Sequence, residues 1–263
     1  MSFFARAIRR LFPLALLVLA PLAAAGGVDL RAPDEIAELL TPFLPDEVAP
    51  GAGGQARLQR LVSQILETEG YFSPQIEFAE VDGDLRLTVA PGPRTVIAAV
   101  DVAVDGPVAA KTRQELIAGW ELPVGQPFRQ QDWNTAKQQI LSRLLAENHA
   151  AARLVDSKAT IDPATREARL MARYDSGPPF RFGELRVEGL ERYPVTLVER
   201  HNRTVRPGEP FREADLNALQ TALQATPQFR SVQVSIDRDT PPDADGVVTA
   251  PVIVRLSERP AHR

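Results

Sequence analysis

GQPFRQQDWN at Gly125–Asn134 and GEPFREADLN at Gly208–Asn217 share Gly, Pro, Phe, Arg, Asp and Asn at a constant offset of 83 residues. Proline-Phe followed by a polar first turn is a helix-start device, with Phe128 or Phe211 placed to pack back under the new helix. Upstream of each copy stands the same pattern. PPFRFGELRVEGLERY, Pro178 to Tyr193, sets Leu185 and Val187 in alternation with Glu184, Arg186 and Glu188 and leaves at Gly189. Gly92-Pro93-Arg94 is followed by Val100, Val102 and Val104, alternating with Asp101 and Ala103 and ending at Gly106. A period of two marks a half-buried strand. A repeat of this length exceeds the 20–50 residues of solenoid units, so it means small domains in tandem.

Working outward, each unit reads strand, helix, helix, strand, strand. In the first, Val28 and Leu30 supply a short strand, and Asp34–Leu40 a helix with Asp34 as its cap. Pro42, Pro45 and Pro50 break the chain, and Gly51–Gly54 reads as a loose linker. Leu58, Leu61, Val62, Ile65 and Leu66, at spacings of three and four, predict a long helix that stops at Gly70. Gln75–Ala79 and Asp84–Val89 alternate as strands around an Asp82-Gly83 turn, where glycine accepts a positive φ. In the second unit, Lys111–Trp120 is a short helix with Leu116 and Ile117 inward. A longer helix over 130–148 carries Trp133, Ala136, Ile140 and Leu144 as its buried stripe. Strands follow near Arg153–Ile161 and Ala168–Tyr174. In the third, a short helix holds Val195–Val198, and Leu216, Leu219 and Leu223 stripe a longer one. Two strands carry Val232, Val234 and Ile236, then Val252, Val254 and Leu256, with a polar, proline-bearing loop at Asp239–Gly246 between them. The expected fold class is α+β: three βααββ domains over 26–92, 93–176 and 177–259, with a tail at 260–263.

MSFFARAIRRLFPLALLVLAPLAAAGG opens the chain. Arg6, Arg9 and Arg10 precede an apolar run from Leu11 to Leu22, and Ala23-Ala24-Ala25 offers small residues for cleavage, so 1–25 is expected to be a signal peptide. Residues 26–263 carry 27 basic against 34 acidic side chains, a net −7, which argues against nucleic acid as a partner. No Cys is present, which excludes disulfides and thiolate metal sites. The three His, at 149, 201 and 262, lack metal-ligand spacing. The pairs Asp82/Asp84, Asp237/Asp239 and Asp243/Asp245 read as solvated turns, since the later ligands of a calcium loop are missing. Trp120 and Trp133 read as core anchors. No catalytic, metal or cofactor constellation emerges, and the chain is not expected to be an enzyme.

The remaining resource is main chain. A three-stranded sheet with two helices on one face leaves an edge of unpaired N–H and C=O groups, to which an extended segment can add as a new strand. In each unit the strand after the long helix is expected to supply that edge. Gln75–Ala79 and Ser231–Asp237 are the candidates, with Ile76, Phe78, Val232, Val234 and Ile236 as their residues. The alternative is that these strands only cover helices and that charge protects their edges.

PFRFGELRVEGL, GEPFREADLNALQTAL, TPQFRSVQVSI and the terminal APVIVRLSERP, in their βααββ order, resemble polypeptide-transport-associated (POTRA) domains. EGYFSPQIEF at Glu69–Phe78, followed by DLRLTVAPGPR, is similar to the first domain of the TamA family, the outer-membrane subunits of the translocation and assembly module. The resemblance spans the chain after the signal peptide. It is most specific in the third unit and weakest in the strands of the second. It implies a periplasmic arm preceding an outer-membrane β-barrel, a TamB-like inner-membrane partner, and unfolded outer-membrane or autotransporter proteins as clients. Up to Arg263 the sequence has no train of alternating segments such as a barrel needs. The expectation is therefore either the front of a longer protein or a separate arm. Other readings are the POTRA region of BamA or of a two-partner secretion transporter, a single-POTRA division protein, and a periplasmic enzyme or binding protein.

Overall fold

β1 (Val28–Arg31), α1 (Asp34–Leu40), α2 (Ala52–Thr68), β2 (Gln75–Val81) and β3 (Asp84–Ala90) make the first βααββ set in a computed structural model that describes residues 27–49, 51–81 and 83–260. The second set is β4 (Val96–Asp105), α3 (Ala110–Ala118), α4 (Gln130–Ala146), β5 (Arg153–Asp162) and β6 (Glu167–Asp175). The third is β7 (Phe180–Glu188), α5 (Thr196–His201), α6 (Glu213–Gln224), β8 (Phe229–Ile236) and β9 (Val248–Glu258). The expected signal peptide and His262 lie outside the described residues.

Each set closes its own three-stranded sheet, in the orders β1-β3-β2, β4-β6-β5 and β7-β9-β8. The last strand of a set is always central and runs parallel to the first. In the second and third sheets it pairs antiparallel with the strand before it. Contacts divide the described chain into two units. One takes the residues up to Val62 with Ile76–Ala90; the other takes Ser63–Gln75 with everything from Pro91.

In the first unit Ile36, Leu40, Leu58, Val62, Leu87 and Val89 are buried. Two local readings change here. Pro33, not Asp34, holds the N-cap of α1, so Asp34 sits inside the first turn, where its charge favours the helix N-terminus. The expected linker Gly51–Gly54 is instead the start of α2: Gly51 turns the chain at φ +85 and the helix runs from Ala52. A Cβ on Gly54 would lie 1.9 Å from the Ala49 carbonyl, so the glycine there serves close backbone approach, not looseness.

The second unit holds two cores. One takes the α4 stripe Trp133, Ala136, Ile140 and Leu144 against Ala168, Leu170, Ala172 and Tyr174 of β6. The other takes Leu216, Leu219 and Leu223 of α6 against Val248, Val252, Val254 and Leu256 of β9. Trp120 stacks edge-on to Trp133 at 5.8 Å, the two serving the same core. Ile117, expected inward, is 38% exposed; α3 is only nine residues long and buries just Leu116.

Both opening strands of this unit carry a bulge at the same place, between Ile97 and Ala99 in β4 and between Phe182 and Leu185 in β7. The bulge moves the core-facing set from Phe180 and Phe182 to Leu185 and Val187, so both phases of the alternation pack inward. Gly183 makes the crossing possible: a Cβ there would sit 2.9 Å from backbone atoms of Ala250 and Pro251.

Candidate sheet-edge binding sites

β2, β5 and β8, the strands that come after the long helices, each lie at a sheet edge. The opening strands form the other edges, and in the second unit part of that side is already occupied. The Pro-Phe segments run antiparallel to it: Ile97 N–H donates to Gln126 O and Phe128 N–H to Thr95 O, both at 2.8–2.9 Å. The third domain repeats this with Phe182 N–H to Glu209 O and Phe211 N–H to Phe180 O, at 2.9 and 3.0 Å. The repeated motif thus serves as a short edge cover as well as a helix start. Phe128 and Phe211 are both buried, as their place under the new helices requires.

Of the candidate residues, Ile76 and Phe78 are half-buried on β2, flanked by exposed Gln75, Glu77 and Ala79. Val232 and Ile236 are buried and Val234 is half-buried, all on β8. Their side chains therefore belong to the core face, and what they can offer a partner is main chain. Along β8 the hydrogen-bonding directions alternate. Asp237 N–H reaches Pro251 O of β9 at 3.0 Å, and the odd-numbered residues before it pair the same way with β9. Val232, Val234 and Ile236 turn their N–H and C=O groups outward.

That outward row is not empty. Gln220 Oε1, from α6, accepts the Val234 N–H at 2.9 Å. Gln224, one turn later, donates its Nε2 to the Val232 carbonyl at 3.4 Å. The two amides stand at i and i+4 on one face of the helix. Sequence reading missed them because glutamine on a helix surface is ordinary. The available signal was the repeat itself: at the offset of 83, Gln220 corresponds to Lys137 and Gln224 to Leu141, neither able to accept from an N–H. Among the described residues no side chain hydrogen-bonds to the main chain of β2 or β5.

Charge marks the edges differently. β2 presents Glu77 and Glu80, whereas β5 presents Arg153, Asp156, Lys158 and Asp162 and carries a bulge at Val155. Bulges and charged side chains are the usual protection of an edge. The solvent faces of the sheets repeat one device. An acid of the first strand meets an arginine of the central strand: Asp29 with Arg86 at 2.9 Å, Asp101 with Arg173, and Glu188 with Arg255 at 2.9 Å. Hydrogen bonds from Arg86 and Arg173 hold the Asp29 and Asp101 carboxyls below their ordinary values.

The described histidines occupy structural positions. His149 is buried beside Gly177 and Pro178, and His201 Nδ1 stands 2.7 Å from the Leu197 carbonyl of its own helix. Asp243 closes the β8–β9 loop, its Oδ1 accepting from Asp245 N–H at 3.0 Å and Val247 N–H at 2.9 Å. No group of three or more His, Cys, Asp or Glu among the described residues is placed to hold a metal ion.

No family model matches the chain. Among solved structures, the crystal structure of Haemophilus influenzae BamA POTRA3–5 is similar over 89% of this chain and 96% of that one, with a TM-score of 0.52 and 15% identity. BamA from Haemophilus ducreyi lacking POTRA domains 1–3 is similar over 62% of this chain, with a TM-score of 0.51 and 19% identity; the match spans 29% of that chain. At these identities the likeness is one of fold, and it agrees with the three βααββ sheets: in fold the chain is a tandem of three POTRA domains.

Proposed function

We propose that the chain is the periplasmic arm of an outer-membrane protein of the BamA/TamA superfamily, and that it holds extended client segments by adding them to its sheet edges. The observation that carries the reading is the tandem itself: three POTRA folds, each placing the strand that follows its long helix at a sheet edge. Occurrence of the same fold as the POTRA3–5 segment of a BamA supports it. Strand addition suits clients of varied sequence, because main-chain hydrogen bonds provide affinity without reading side chains. Ile76 and Phe78 on β2 and Val232, Val234 and Ile236 on β8 are the proposed docking positions, with no catalytic step assigned to the chain.

Within that superfamily we assign it to the TamA type. The reading includes export by the signal peptide, attachment to an outer-membrane barrel, a TamB-like inner-membrane partner and autotransporter clients. The three-unit count and the EGYFSPQIEF stretch support this assignment over BamA.

The test uses a fluorescent peptide with the alternating sequence of an outer-membrane barrel strand, and a copy N-methylated at each of its consecutive central amides. Both have the same side chains, but the second cannot form a ladder on either edge. Binding of the first and at least about tenfold weaker binding of the second is expected, since several main-chain hydrogen bonds of roughly 1 kcal/mol each are lost. Equal affinity of the two peptides would remove strand addition as the mode of capture.

A further inference from the structure

We infer that the β8 edge of the third domain is held shut by its own helix: Gln220 and Gln224 occupy the hydrogen-bonding places of an added strand and must leave before one can dock. The inference rests on the strand-addition reading and concerns which of the edges is open.

The geometry is that of a substitute strand. Gln220 Oε1 takes the Val234 N–H at 2.9 Å, and Gln224 Nε2 gives to the Val232 carbonyl at 3.4 Å. In a parallel ladder a single residue opposite Gln233 would make both of these bonds, one through its carbonyl and one through its N–H. The two side-chain amides together reproduce that residue. An antiparallel strand would meet the same two groups through two of its residues, so either orientation competes with the glutamines.

Local packing fixes where the amides sit. Leu219 and Leu223, the neighbours of Gln220 and Gln224 toward the helix N-terminus, are buried against the sheet, so α6 cannot rotate its glutamines away without leaving the core. Opening is then a rotamer change of two side chains, one half-buried and one exposed, and not a movement of the helix. Neither β2 nor β5 receives a comparable bond among the described residues. Lys137, at the place of Gln220 in the second domain, lies over the Trp133 ring at 4.8 Å. The three edges are therefore unequal, and the third accepts a strand only at the cost of its cap.

The size of the effect comes from ordinary hydrogen bonds. Each one exchanged is a factor of about five in an equilibrium constant, so freeing the edge strengthens strand capture at β8 roughly five- to thirtyfold.

The experiment compares the full chain with Q220A/Q224A. In each, Val234 amide exchange is measured, and a barrel-strand peptide carrying a photoreactive group is cross-linked and mapped by mass spectrometry. Faster exchange at Val234 and a five- to thirtyfold gain of cross-links on 229–236, with those on β2 and β5 unchanged, are expected in the variant. Q220M, close in volume and without an acceptor, gives the same exchange result if the double variant loses stability. Unchanged exchange at Val234, or wild-type cross-linking at β8 equal to that of the variant, overturns the cap while leaving strand addition in place. Faster exchange with no cross-links on any edge in either protein overturns strand addition, and with it any role of the cap in capture.

Discussion

Glu258 shows how much one side chain does at the end of the last strand. Its Oε1 accepts the N–H groups of Glu191, Arg192 and Tyr193 at 2.9–3.1 Å, and Oε2 faces Arg192 Nε at 2.9 Å. The side chain is only 5% exposed. Burial works to raise its pKa, but the three backbone donors and the guanidinium outweigh it and bring the group from an ordinary 4.5 down to about 2. A lowered carboxylate value gives stability that is complete above the unfolded-state pKa and is lost as pH falls toward the folded-state one. The contribution of Glu258 is therefore full above pH 4.5 and gone near pH 2. We expect E258Q to melt below wild type at pH 7 and the gap to close on titration to pH 2, as measured by circular dichroism. A gap independent of pH would assign the loss to packing. Nothing in the sequence announced this site: the three donors are consecutive, but the carboxylate that binds them is more than sixty residues away.

At the scale of elements, the patterns that were legible are those that burial imposes on neighbours. The stripe Trp133, Ala136, Ile140, Leu144 and its counterpart Leu216, Leu219, Leu223 appear in the structure as read, because a helix packed on a sheet must repeat its apolar face. The order of strands within a sheet was less legible, since adjacency in sequence does not say which strand takes the centre. Side-chain capping of an edge was the least legible: the repeat sets Gln220 and Gln224 apart from Lys137 and Leu141, but where a helix crosses a strand is not written in the pattern. The joints between elements fall between these extremes. Asn148, at φ +61, comes just after α4; its N–H donates to Phe211 O at 2.9 Å and its carbonyl accepts from Phe180 N–H at 2.6 Å. Gly70, at φ +91 after α2, plays a related part by accepting the Thr95 N–H at 2.9 Å, and a Cβ on it would come within 2.2 Å of Phe128 O. Asparagine tolerates this left-handed backbone, glycine adopts it freely, and a β-branched residue is strained there. N148G should keep its stability to within about 1 kcal/mol, whereas N148V should lose about 2 kcal/mol or more, read from urea unfolding. Equal stability of the two variants would show that the backbone conformation at Asn148 is not what holds this joint.

Across the whole molecule, repetition was the most legible property, because a six-residue identity survives at one offset even where strand patterns weaken. The second and third domains, which belong to one unit, also share a buried histidine whose importance no repeat could signal. His149 is 7% exposed at the turn Ser176-Gly177-Pro178 that leads from β6 into β7. Burial lowers its pKa from 6.5, and the adjacent backbone of Gly177 and Pro178 opposes that shift without cancelling it. Arg143 and Glu147 line the same cavity, and Asp175 accepts the Gly177 N–H at 2.9 Å on the other side of the turn. The unfolded chain therefore takes up a proton at His149 before the folded one does. Stability from the neutral imidazole is complete above pH 6.5 and declines as pH falls through the lower folded-state value. The passage between the second and third domains should thus weaken under mild acid, well before carboxylates such as Glu258 begin to titrate. Urea midpoints measured from pH 7.5 to 5 should fall more steeply for wild type than for H149Q, which keeps a polar side chain but cannot charge. Parallel slopes for the two proteins would place the acid sensitivity elsewhere in the chain. A steeper wild-type slope would tie the coupling of two POTRA domains to the protonation of one residue at their connection.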